Sequence, residues 1–134
     1  MRVLALDYGS ARCGCAISDP SEMLATPIEP VPRPATRKGL ARLAALVGER
    51  EVELVVVGLP LSLSGGDSAQ TAEARAFAAR LGERLAVAVE LYDERFTTLM
   101  AQRDPGDPGS AEDSRAAAHL LEGWLAARSA RAAG

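Results

Sequence analysis

The apolar residues of this chain change their spacing once, and that change constrains the fold more than any other feature. As far as Val31 they recur with the period of strands, in three short segments. Beyond Thr36, helix-spaced and strand-spaced segments alternate. A meander of strands followed by alternating helices and strands predicts a mixed sheet with helices on both faces.

The segments can be placed individually. Residues 2–7 read as a strand, Tyr8 to Ala11 as a tight turn, and Cys13 to Ser18 as the second arm of a hairpin. Ala25 to Val31 is a third strand, placed at an edge because Pro27 and Pro30 lack amide donors. Arg33 to Arg37 is a loop. Leu40, Leu43, Ala44 and Val47 fall on one face of a helix over 36–49. Val52 to Val57 is a near-continuous apolar run closed by Gly58, as suits a strand buried on both faces. The stretch "GLPLSLSGGDS" is a loop, and a second helix begins near Ser68, with Ala72, Phe77, Ala78 and Leu81 facing inward. Val87 to Tyr92 alternates as a strand. "DERFTTLMAQR" then enters a short helix capped by Thr97, and "DPGDPGS" is a loop of turn residues. Ala111 to Ala127 forms the last helix, with 127–134 a frayed tail. The expected order is βββ-α-β-α-β-α, that of the RNase H-like α/β fold, in one domain spanning 1–134.

The formal charge of −3 argues against a protein that coats nucleic acid nonspecifically, although a local basic groove is compatible with it. Asp7 interrupts the N-terminal apolar run before a signal-peptide core can form, and no run is long enough to span a membrane. A soluble, cytoplasmic protein is expected. Cys13 and Cys15 share a strand face, poorly placed for a mutual disulfide. With His119 the only histidine they are too few for a closed zinc site, and read as small core residues.

Three acids stand where structure alone gives weak reasons for them. Asp7 ends the first strand, Glu94 follows the last one, and Asp113 lies near the start of the last helix. Each has a structural explanation. Asp7 suits a turn before Gly9, Glu94 a solvated loop charge paired with Arg95, and Asp113 a capping box beginning at Ser110. Yet Asp113 shares its helical stripe with Ala116, Ala117, Leu120 and Trp124, which must face the sheet. A carboxylate pointed there needs a cation or hydrogen-bond donors. If the three converge, two carboxylates about 5 Å apart repel by about 3 kcal/mol at an effective dielectric near 20. A cation then has to sit among them. Oxygen ligands without imidazole or thiolate select Mg²⁺ or Mn²⁺, in a site suited to phosphodiester hydrolysis. Gly9 leaves the turn bare for a phosphate backbone to approach.

The segments "LDYGSARCGCAISD", "VVVGLPLSLSGG", "DERFTT" and "DSRAAAHLL" together resemble the YqgF family of RNase H-like proteins. Its members are described as Holliday junction resolvase-like and as pre-16S rRNA nucleases. The resemblance runs over residues 2–126 in the same order. It implies an acidic triad at Asp7, Glu94 and Asp113, catalytic and metal-binding, with Mg²⁺ or Mn²⁺ and a structured nucleic acid as substrate. Processing of the 16S rRNA precursor in ribosome biogenesis is the implied role. Resolution of four-way DNA is the alternative, and a non-cleaving ribosome-assembly or transcription factor is another. Partners would be precursor rRNA or branched DNA and ribosomal particles, the protein acting as a monomer or homodimer. The chain departs from the family in the stretch before the third acid, "RDPGDPGSAED", where Arg103 is the only cation.

Other cations are better placed for phosphates. Arg12 stands at the hairpin mouth and Arg95 beside Glu94. Arg33, Arg37 and Lys38 precede or open the first helix. His119, Tyr92 and Trp124 read as structural. The hairpin also resembles the phosphate-binding hairpin of sugar kinases and actin, but those enclose nucleotide between two such domains and this chain supplies one.

Overall fold

The three N-terminal strands form the expected meander. The structure, a computed structural model, describes residues 1–21, 24–59, 69–93 and 110–133, the side chains of 110–113 and 130–133 excepted. β1 (Val3–Asp7) pairs antiparallel with β2 (Arg12–Ser18), and β2 with β3 (Ala25–Pro32). α1 (Arg37–Glu49) then leads to β4 (Leu54–Leu59), which inserts parallel beside β1. α2 (Ala69–Arg84) crosses over to β5 (Ala88–Asp93), parallel to β4. α3 (Ser110–Ala133) closes the described chain. The sheet order is β3-β2-β1-β4-β5, so the proline-bearing β3 is an edge as its composition requires.

Two cores lie on opposite faces of this sheet. Leu4, Leu6, Cys13, Cys15, Val55 and Val57 pack against Leu40, Leu43 and Val47 of α1 and Phe77, Ala78 and Leu81 of α2. Val3, Ala5, Ala16, Leu54 and Val56 pack against Ala117, Ala118, Leu120, Leu121 and Trp124 of α3. The alternation of β1 therefore decides which helix each of its residues meets. Both cysteines are buried in the first core as small apolar residues, and neither is in a disulfide. Of the stripe read on α3, Ala117, Leu120 and Trp124 are buried and Ala116 is half-buried, while Ser114, Ala118 and Leu121 complete the buried face.

Several boundaries differ from the sequence reading. β4 starts at Leu54 rather than Val52, because its ladder begins opposite Val3, the first residue of β1. Val52 is buried just outside the strand, and Gly58 continues it, pairing with Tyr92. On α2, Ala72 is exposed, while Thr71 and Ala74 complete the inward stripe. Leu91 is 41% exposed, so the alternation of β5 does not bury it. Tyr92 is half-buried against the second core, and α3 runs on to Ala133, beyond the expected end at 127. The expected Thr97-capped helix, and nearly all of the stretches "GLPLSLSGGDS" and "DPGDPGS" read as loops, fall outside the described residues.

Candidate active site

Asp7 is the last residue of β1, half-buried, with Gly14 of β2 opposite it. Val3 and Ala5 face the α3 core while Leu4 and Leu6 face the other, so strand alternation turns Asp7 toward α3. The acid thus ends a strand that is otherwise fully buried, on the face where the last helix lies.

The start of α3 is fixed at the same height by a polar tether. Ser114, 2% exposed, donates its hydroxyl to the backbone carbonyl of Ile28 on β3. Ile28 pairs with Cys15, and Cys15 with Leu6, the neighbour of Asp7. The far end of the helix confirms the direction. The Arg128 guanidinium approaches the Met1 sulfur at 3.7 Å and stands 5.4 Å from the centroid of Trp124. From Ser114 to Arg128 a helix rises about 21 Å. From Met1 to Asp7 an extended chain covers about 20 Å. The helix therefore runs antiparallel to β1, and its first turn, including the backbone of Asp113, lies beside the Asp7 end.

The third element arrives at that end as well. β5 pairs Asp93 with Leu59 at the carboxyl end of β4, two strands over from Asp7 within the sheet order. Asp93 is half-buried and immediately precedes Glu94 in the chain. Glu94 and Arg95 lie outside the described residues, as does the side chain of Asp113. Among the described residues no group of three or more His, Cys, Asp or Glu side chains is placed to hold a metal ion. Both cysteines belong to the opposite core, so the thiols are directed away from Asp7. The chemistry offered at this end is carboxylate oxygen, which fits a hard cation.

The basic candidates gather beside the same end. Arg12 opens β2 opposite Pro32, and the Arg33 amide donates to the Ala11 carbonyl at 2.9 Å. This hydrogen bond ties the β1–β2 turn to the turn before α1. Arg33 has a φ of 45°, and its carbonyl accepts from the Thr36 hydroxyl at 2.7 Å. Thr36 in turn caps α1, accepting from the Gly39 amide at 3.1 Å. Arg12, Arg33, Arg37 and Lys38 are all exposed. The first turn of α1 holds no acid, so Arg37 and Lys38 are set against the helix dipole.

Gly9 has a steric reason that sequence reading did not supply. A Cβ there would stand 2.5 Å from the Arg12 carbonyl oxygen, inside the hairpin itself. The closing of the turn is thus sufficient reason for a glycine here. Tyr8 lies next to it, half-buried, with its ring 4.7 Å from that of Phe77 on α2. Burial pushes its phenol upward from the ordinary value, with Glu73 and Cys13 adding and Arg80 opposing. Ser114 is the residue that sequence reasoning missed. Its only signal was a hydroxyl within an Ala/Leu stripe, next to a candidate acid.

A family model described as "RuvX: Holliday junction resolvase" matches residues 1–127. The chain belongs to this family. RuvX proteins are nucleases by that description, and the chain is an enzyme of that class. A relative from Koribacter versatilis, named "Putative pre-16S rRNA nuclease", is 40% identical, covering 95% of this chain and 88% of its own. One of the same name from Anaeromyxobacter is also 40% identical, over 97% of this chain and all of its own. Among solved structures, Thermus thermophilus RuvC superposes with a TM-score of 0.58 at 16% identity, covering 97% of both chains. The fowlpox virus Holliday junction resolvase does so with a TM-score of 0.56 at 12% identity, covering 96% of this chain and 99% of that one. The fold of this RuvX chain is thus the RNase H-like fold of the resolvases. Among the described residues no helix is long and apolar enough to cross a membrane.

Proposed function

We propose that this chain is a divalent-metal-dependent nuclease of one RNase H-like domain, acting in the cytoplasm on the 5′ end of the 16S rRNA precursor. The observation that carries the reading is the fixing of the first turn of α3 level with Asp7, on the face that Asp7 itself occupies. Burial of a strand does not call for a carboxylate at that point. The names borne by relatives at 40% identity support precursor rRNA as the polymer.

In this reading Asp7, Glu94 and Asp113 hold Mg²⁺ or Mn²⁺. The ion would neutralise charge developing on the phosphate and acidify the attacking water. Asp7 fixes one side of the site from the rigid centre of the sheet, and α3 brings Asp113 from above it. Arg12, Arg33, Arg37 and Lys38, with Arg95 beside the second acid, grip the phosphates and set the polymer across the strand ends.

The resemblance to RuvC and the family description favour a second reading, cleavage of four-way DNA. Wild-type protein titrated with Mn²⁺ against a labelled precursor 16S RNA fragment and a labelled four-way DNA junction tests both. Metal-dependent cutting of the RNA is expected. Cutting of the junction alone would replace rRNA processing with resolution. Binding of either without any cut, across metals and pH, would overturn the nuclease reading in favour of an assembly factor.

A further inference from the structure

Three features of the sheet edge meet at one place. Between Cys13 and Cys15 the β2–β3 register slips, so Glu29 and Pro30 of β3 oppose the single residue Gly14. Gly14 is the residue paired with Asp7. Ile28, flanking this bulge, is the residue whose carbonyl takes the Ser114 hydroxyl. Bulges re-aim a strand locally and recur next to active sites. Here the bulge lies two strands from the candidate acid, and the last helix is pinned to its flank.

Packing does not require a hydroxyl at this point. Ser114 sits on the stripe with Ala117, Ala118 and Leu121, where alanine would fill the same small space. A buried hydroxyl is tolerated only because it finds an acceptor. Within a helix, serine commonly bonds its own preceding turn, which leaves the helix free to slide on its neighbour. Ser114 reaches instead across 86 positions of sequence to the edge strand. That bond fixes both the height and the rotation of the first turn of α3.

We infer that Ser114 is a positioning residue of the active site, its hydrogen bond to the Ile28 carbonyl locking α3 onto the bulged β3 and setting Asp113 level with Asp7. The inference rests on the nuclease reading above. Hydrogen bonds made directly to a metal ligand by its outer neighbours are worth about 10–100-fold in metal affinity or activity, and Ser114, whose bond holds the ligand's helix rather than the ligand, falls at the low end.

The test is Mn²⁺ binding to the full chain, followed by electron paramagnetic resonance of free Mn²⁺, for wild type, Ser114→Ala and Ser114→Cys. Circular dichroism checks that each is folded. A folded Ser114→Ala is expected to bind Mn²⁺ about tenfold more weakly. Its kcat on a precursor RNA fragment falls at limiting Mn²⁺ while KM for the RNA is unchanged, and raising Mn²⁺ restores it; circular dichroism separates this from a loss of folded protein, which lowers apparent kcat in the same way. Ser114→Cys, with a weak donor of similar size, carries the test if the alanine variant loses its fold, and is expected to weaken binding by a smaller factor. Wild-type Mn²⁺ affinity in the folded variant would overturn the inference and leave the nuclease reading standing. No Mn²⁺ binding by wild type would overturn both.

Discussion

Tyr8 follows Asp7 directly, and its environment makes a prediction that does not depend on catalysis. Burial, then Glu73 and Cys13, raise its pKa above the ordinary 10.0, so the native state favours the neutral phenol. The unfolded chain ionises first, on passing about pH 10. The stabilisation is therefore complete below that pH and is lost as pH rises through the higher folded value. Tyr8→Phe keeps the contact with Phe77 and removes the titration. Its Tm is expected to match wild type at about pH 8 and to exceed it at about pH 11. Identical Tm profiles for the two would show that the phenol is not held neutral by its surroundings. None of this was legible in "DYG", because the partners Phe77, Glu73 and Arg80 come from a helix more than sixty positions away.

Within α1 one substitution should act with opposite sign at two places. A Cβ at Gly39 would stand 2.2 Å from the Arg33 carbonyl oxygen and 2.7 Å from the Cα of Pro34, both backbone atoms. Gly39→Ala is expected to destabilise by about 1–3 kcal/mol, because the capped turn must shift. Gly48, in the last turn of the same helix, has nothing within 4 Å of a Cβ. Gly48→Ala should stabilise by about 0.5–1 kcal/mol through helix propensity. Urea unfolding of the two variants reads both signs, and a shared sign would contradict the packing of the Arg33 turn on α1. The helix itself was legible, since Thr36, Leu40, Leu43 and Val47 carry cap and stripe unaided. α2 was less so, because alanines at 69, 72, 74, 76, 78 and 79 surround it and give the period no contrast. The ends of β4 were not, because its ladder begins where β1 begins.

Across the whole molecule, charge is divided. The chain is acidic overall, yet Arg12, Arg33, Arg37 and Lys38 gather at the Asp7 end of the sheet. Replacing Arg33, Arg37 and Lys38 together by Gln should weaken binding of precursor RNA at every sequence alike. It should also flatten the salt dependence by about 0.7–0.9 in log–log slope for each phosphate left without its cation. Thermal stability should hold, since all three side chains are exposed. Unchanged affinity and slope would make the patch an ordinary solvated helix start. At this scale the sequence was most informative, because the order of strand-spaced and helix-spaced segments dictates which strand ends lie together. It could not show the tether from Ser114 to Ile28, which joins residues 86 positions apart and leaves no periodic trace.

The central claim is that Asp7 ends a buried strand because it holds one side of a metal site. The most direct measurement is Mn²⁺-dependent cleavage of a precursor 16S RNA fragment by wild type and Asp7→Asn, with Tm recorded for both. Asp7→Asn is expected to lose at least about a hundredfold in rate. Its Tm in the absence of metal should be unchanged or higher, because repulsion among the acids falls. Cleavage by Asp7→Asn at the wild-type rate would contradict the account.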